Sequence, residues 1–284
     1  MAEILRGAPV AVALTQSLKT RADELKAKGI VPTLATIRIS DRQDDVLYER
    51  SAIKRCEGIG IAVKRYILSE DITQDELLSV IDEINDDNSI HGALLFRPLP
   101  GHIDQGLICN ALSPEKDIDG MTDQSAAGII IGKAVGYPPC TAQACIEMLD
   151  HYGVDPSGKN VTVIGRSMVI GKPCAFLLLD RNATVTVCHS RTPDLAASCK
   201  NADIIVVAVG KAKTLTAAHV RPGQTVIDVG INVDAENKVC GDVDFNGVEP
   251  VVAAISPVPA GTGSITTAVL AKHVIEAAEK KVLT

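Results

Sequence analysis

The chain has 284 residues, more than a typical single domain, and 46% of them are hydrophobic, enough for one large or two medium domains. Trp is absent and only 3 Phe and 4 Tyr occur, so the cores must be built from Val, Ile, Leu and Ala, which suits buried parallel sheet flanked by helices. With 28 basic against 35 acidic residues the net charge is −7 and no basic block appears, which argues against a nucleic-acid partner; no apolar run is long enough to span a membrane, which argues against a membrane protein.

Helical and strand patterns alternate along the whole sequence, the rhythm of parallel sheets. Residues 8–28 read as a helix closed by Gly29, followed by a strand at 33–39, a helix at 44–58 and a strand at 62–68. Thr73-Gln-Asp-Glu76 is a capping box that opens a helix to about Asp86. A short apolar strand at 92–96 runs into Arg97-Pro-Leu-Pro100, which two prolines make irregular. Residues 113–139 read as a loop-rich junction between two lobes, and a helix starts at Thr141. Strands then follow at 161–164, 184–188, 204–209, 225–229 and 251–255. Another irregular stretch, Ser256-Pro-Val-Pro259 to Gly263, precedes a last helix from Thr266 that is expected to return to the first lobe. The fold class is therefore α/β, in two lobes with a cleft between them. The expected domains are 1–120, completed by a C-terminal helix at 265–284, and a Rossmann-like domain with a parallel sheet at 121–264.

The 8 Cys contain no C-x-x-C pair, several lie in apolar runs, and the 6 His cluster neither with one another nor with paired Cys. These thiols read as small hydrophobes of a reduced, cytoplasmic protein, and no metal site is expected.

The stretch Val161-Thr-Val-Ile-Gly-Arg-Ser-Met-Val-Ile-Gly171 carries chemistry. A β-branched strand ends in Gly165, and Gly171 stands six residues later where a helix begins. That layout lets backbone N–H groups and a helix N-terminus approach a pyrophosphate. Ser167 stands where the usual fingerprint has its middle Gly, so an ordinary strand-to-helix turn is the competing reading. The next strand runs into His189-Ser-Arg-Thr192 with no carboxylate to hold a ribose 2′-OH. Ser190 between Arg191 and the nearby Arg166 suits a 2′-phosphate instead, which favours NADP over NAD.

These features, with Asp45-Val-Leu-Tyr48, Arg97-Pro-Leu-Pro100, Pro114-Glu-Lys-Asp-Ile-Asp-Gly120, Pro139-Cys-Thr141, Val229-Gly-Ile-Asn232, Gly241-Asp-Val243 and Ser256-Pro-Val-Pro259, resemble the methylenetetrahydrofolate dehydrogenase/cyclohydrolase family over nearly the whole chain. The resemblance implies NADP-dependent oxidation of 5,10-methylenetetrahydrofolate to 5,10-methenyltetrahydrofolate. In bifunctional members hydrolysis to 10-formyltetrahydrofolate follows. It also implies a homodimer with tetrahydrofolate derivatives as small-molecule partners. On the folate side it implies Tyr48 stacking along the folate and Asp119 holding the pterin, both as catalytic residues, with Pro98, Leu99, Pro259 and Gly261 lining the substrate. On the cofactor side it implies Gly165, Arg166, Ser167, Gly171, Ser190, Arg191, Ile231 and Thr141.

Two departures bear on hydrolysis. The family carries a Lys one helical turn after the Tyr, about 400° on and therefore on the same face. Here that residue is Ala52, and Lys54 and Arg55 do not replace it in position or chemistry. The family's Gln two residues before Pro-Leu-Pro is Phe96. Hydride transfer needs alignment, whereas ring opening needs groups that move protons. The expectation is an intact dehydrogenase with weak or absent cyclohydrolase. A fully bifunctional enzyme, a non-catalytic dinucleotide-binding module and a dehydrogenase for another substrate are the alternatives.

Overall fold

The computed structural model describes residues 1–234 and 236–282. In chain order the elements are β1 (Glu3–Ile4), α1 (Gly7–Ala27), β2 (Thr33–Arg38), α2 (Gln43–Ile59), β3 (Ala62–Ile67), α3 (Gln74–Asp86), β4 (Gly92–Leu95), α4 (Gln105–Ala111), α5 (Asp123–Ile130) and α6 (Cys140–His151). They continue with β5 (Asn160–Ile164), α7 (Gly171–Asp180), β6 (Thr184–Cys188), α8 (Leu195–Lys200), β7 (Ile204–Val207), β8 (Thr225–Asp228), β9 (Asn232–Val233), β10 (Val239–Cys240), α9 (Phe245–Val248), β11 (Ala254–Ile255) and α10 (Thr266–Lys280). No helix among the described residues is long and apolar enough to cross a membrane.

The chain divides into two units, one of residues 13–140 with 267–284 and the other of residues 1–12 with 141–266. These boundaries differ from the expected 1–120 and 121–264. Residues 121–140 join the first unit because the buried Asp117 carboxylate accepts hydrogen bonds from the Met121 and Thr122 N–H groups and the Ser125 hydroxyl. Residues 1–12 join the second because β1 pairs in parallel with β11. The C-terminal helix does fall in the first unit from Thr267 onward, while the last two positions of its expected span, 283 and 284, lie outside the described residues.

The first unit holds a three-stranded parallel sheet in the order β3-β2-β4. Its helix α3 forms as expected. The Thr73 hydroxyl accepts from Glu76 N–H and the Glu76 carboxylate accepts from Thr73 N–H, so two orphan donors of the first turn are satisfied. Leu77, Ile81 and Ile84 recur at helical spacing and face a core with Ile37, Ala93 and Leu95. Full burial of each such side chain is worth about 2 kcal/mol of transfer free energy.

The second unit holds a six-stranded parallel sheet in the order β1-β11-β8-β7-β5-β6. Its central strands β7 and β8 are buried throughout, and β7, Ile-Ile-Val-Val, reads as an unbroken apolar run. Three expectations need correction. The 113–139 stretch contains a helix, α5, started by Thr122 accepting from Ser125 N–H. The 251–255 strand is the two-residue β11, because Val251 and Val252 still bond back to Val248 at the end of α9. Strand β7 stops short of Val209, whose N–H turns to the Asp242 carboxylate, and β8 ends at Asp228, before Val229.

Candidate active site

In a parallel sheet the C-terminal strand ends share one edge, and ligands of α/β proteins bind there. In the first unit that edge carries Ile39, Ser40, Phe96, Pro98, Leu99 and Pro100, which with Arg42, Asp45 and Glu70 line a cavity of about 270 Å³. Tyr48 lies half-buried on α2 and meets Phe96 edge-on, ring centres 6.2 Å apart at 75°. Ala52, one turn further along α2, is fully buried in a stripe with Glu49, Cys56 and Ile59. Arg55 is turned elsewhere, donating to Thr15 and Thr267 hydroxyls at 2.9 and 3.4 Å. Neither the lysine nor a stand-in for it occupies that turn.

Helix α2 is held by a carboxylate that sequence reasoning missed. Glu49 is buried and accepts from the Thr36 hydroxyl at 2.8 Å, from Arg38 Nε at 3.1 Å and from Arg65 Nη2 at 3.0 Å. Burial alone would raise the Glu49 carboxyl, but the bonds from Arg65, Thr36 and Arg38 outweigh it and hold it below the usual carboxylate range. Its neighbour Tyr48 inherits a fixed backbone.

Asp119 follows the turn that Asp117 stitches. One of its oxygens accepts from Cys140 N–H at 3.4 Å and the other from Arg97 Nη2 at 3.4 Å. Burial pushes the Asp119 carboxyl up, and Arg97 and Cys140 pull it back down. The carbonyl of Ile118 takes two donors, His273 Nδ1 at 2.8 Å and Cys140 Sγ at 3.3 Å. A carbonyl only accepts, so His273 carries its proton on Nδ1. Tyr48, Phe96, Arg97 and Asp119 are thus linked through successive contacts around the mouth of β4.

In the second unit, Gly165 ends β5 with φ 128°, and a Cβ there would run into the Ala208 carbonyl. A Cβ on Gly171 would meet the Gly165 carbonyl, so the start of α7 packs tightly on the turn. Between them Arg166 and Ser167 are exposed, and the Ser167 hydroxyl accepts from Ile170 N–H at 3.2 Å, securing the entry to α7 without a middle glycine. Strand β6 lies beside β5 with Cys188 opposite Ile164, so Ser190 and Arg191 leave the same edge. Both are exposed on a tight turn closed by His189 and Thr192. The first carboxylate beyond, Asp194, is occupied in accepting from Ala197 N–H at the start of α8.

Ile231 stands 70% exposed on the loop after β8, beside Asn232, whose side chain donates to the buried Asp242 carboxylate. Pro259 and Gly261 sit on a loop pinned to the end of β8, where the Thr262 and Ser256 hydroxyls both donate to the Asp228 carbonyl. Thr141 lies one turn before Cys145, whose thiol meets Cys174 in the first turn of α7. The residues present fit a dinucleotide phosphate: a glycine cradle that a Cβ would fill, a helix N-terminus, exposed guanidinium groups and no competing carboxylate at the β6 tip. Among the described residues no group of His, Cys, Asp and Glu is arranged to hold a metal ion.

Fold and site together define a two-unit α/β protein with a Rossmann-type dinucleotide half. Family models match both halves: the catalytic domain of tetrahydrofolate dehydrogenase/cyclohydrolase over residues 5–119 and its NAD(P)-binding domain over residues 139–282. The chain belongs to the tetrahydrofolate dehydrogenase/cyclohydrolase family. It is 48% identical over 275 residues to the bifunctional protein FolD of Clostridioides difficile, covering 97% of this chain and 96% of that one. The crystal structure of the bifunctional FolD of Campylobacter jejuni superposes with a TM-score of 0.95 at 38% identity, covering 99% and 100% of the two chains. The FolD of Trypanosoma brucei, solved with NADP cofactor and an inhibitor, gives a TM-score of 0.92 at 32% identity, covering 100% and 99%.

Proposed function

We propose that this enzyme is an NADP-dependent methylenetetrahydrofolate dehydrogenase whose cyclohydrolase step is weak or lost. It oxidises 5,10-methylenetetrahydrofolate to 5,10-methenyltetrahydrofolate. NADP, when bound, accepts the hydride from the one-carbon unit. Gly165, Arg166, Ser167, Gly171, Thr141 and Ile231 hold the dinucleotide in this reading, with Ser190 and Arg191 taking the 2′-phosphate. Tyr48, Pro98, Leu99, Pro259 and Gly261 line the folate, and Asp119 accepts two N–H donors of the pterin edge. The carbon that loses hydride becomes a cation stabilised by its own nitrogens, so these residues need to orient rather than to move protons.

The observation that carries the second half is Ala52, buried one turn from Tyr48 with Phe96 against the Tyr48 ring. Hydrolysis of the methenyl ring needs a proton donor and acceptor beside the water. An alanine and a phenylalanine offer neither. The double variant Ala52→Lys with Phe96→Gln tests this, since either change alone leaves the new polar group without its partner. Methenyl hydrolysis should rise at least about tenfold over the parent while NADP reduction persists. No gain in a folded double variant would contradict the assignment. Cytoplasmic placement and a homodimer belong to the same reading, supported by the family resemblance and by eight free thiols, seven of them buried.

A further inference from the structure

The residue after Phe96 is charged, and its side chain makes a specific contact. Arg97 extends from the end of β4, where Phe96 N–H still bonds the Ile37 carbonyl, and two residues later Leu99 N–H is caught by the Gln105 side chain at 3.2 Å. The backbone that launches the guanidinium is therefore fixed on both sides. Its Nη2 lies 3.4 Å from one oxygen of Asp119, while the other oxygen faces Cys140 N–H. Resting on the functional reading above, we propose that Arg97 is the positioning residue for Asp119, fixing its carboxylate as a two-oxygen acceptor for the pterin's N–H donors.

The charges around the carboxylate support this. Burial and the Asp117 carboxylate disfavour an ionised Asp119, and the Cys140 thiol beside it is itself pushed well up by burial and stays neutral. Asp117 cannot turn to share its load, because both its oxygens are spent on Met121, Thr122 and Ser125. Among the described residues Arg97 forms the ion pair with Asp119. A carboxylate has about four lone-pair sites, so one long bond to each oxygen leaves one site on each for a ligand. Arginine also keeps its proton at any working pH. It restores positive charge at a site without the lysine at position 52, and it does so without supplying an acid or a base.

The test is steady-state kinetics across pH for Arg97→Leu and Arg97→Lys, beside a titration of the Asp119 carboxyl by 13C NMR in the ligand-free enzyme. Arg97→Leu should raise KM for methylenetetrahydrofolate about tenfold, the loss that accompanies one charged hydrogen bond, with kcat nearly unchanged. The acid limb of kcat/KM should move to higher pH, because a carboxylate deprived of its cation protonates more easily. Arg97→Lys should recover part of both effects, and the NMR midpoint of Asp119 should rise in the Leu variant. An unmoved midpoint, or a KM that stays level or falls, would overturn the proposal. A parent enzyme that fails to oxidise the folate would instead contradict the functional reading, since the NMR titration judges the Arg97–Asp119 pair without substrate.

Discussion

At Ser190 a single hydroxyl stands where an NAD-specific protein of this class would place a carboxylate. On the proposed reading cofactor choice turns on that position, because a carboxylate accepts from a ribose 2′-OH but repels a 2′-phosphate. Ser190 and Arg191 are exposed at the tip after β6, and Asp194 is tied to the α8 N-terminus. Ser190→Asp should therefore raise KM for NADP by tenfold or more, roughly the effect of setting a like charge against the phosphate, while KM for NAD rises less or falls. Initial rates of NADPH and NADH formation check it; equal changes for both cofactors would count against the assignment. The strand–turn–helix offering this candidate site was legible in the sequence because a Gly-bounded turn and the strand after it stand in order. Arg97 was not. A lone cation ahead of Pro98-Leu99-Pro100 has no periodicity, and its partner Asp119 lies 22 residues away.

Elements were legible where the local signal was strong. The Thr73 box, the Gly29 turn and the strands near 33–39 and 161–164 formed close to where they were read, because local propensity and burial agree there. The helix α5 was hidden by Gly-rich flanks, and the hairpin of β9 and β10 by its two-residue strands. Glu49 was missed for another reason: a charged residue inside a helix reads as surface, and only the strand neighbours Thr36, Arg38 and Arg65 bury it. Helix α10 carries a comparable case in His273. Its Nδ1–H donates to the Ile118 carbonyl, and burial, with Lys272 and Lys280 adding to it, pushes the imidazole down to about 4. The unfolded chain binds this proton near pH 6.5 and the folded one does not, so stability is full above pH 6.5 and is lost as pH falls toward 4. The loss attributable to His273 should reach about 3 kcal/mol at most. Urea unfolding at pH 7 and pH 4.5 should show a smaller acid loss for His273→Asn than for the parent; an identical loss would show that this imidazole is not what acid attacks.

Over the whole molecule, the two parallel sheets place chemically distinct groups at their C-terminal edges. One edge gathers Tyr48, Phe96, Arg97 and Asp119, the other Gly165, Arg166, Ser190 and the Pro259 loop. The two-unit plan was visible in the sequence rhythm, but its boundaries were not, because the buried Asp117 carboxylate and the β1–β11 pairing reassign residues 121–140 and 1–12 through contacts no local pattern announces. On the proposed reading, the cyclohydrolase step is weakened because Ala52 and Phe96 offer no group that moves a proton. The decisive measurement is the ultraviolet spectrum followed in time after the enzyme meets 5,10-methylenetetrahydrofolate and NADP. Methenyltetrahydrofolate should accumulate in step with NADPH and then decay at the rate seen without protein. NADPH formation with no methenyl build-up, in a buffer where free methenyltetrahydrofolate persists, would mean that ring opening is catalysed and that Ala52 and Phe96 do not silence it.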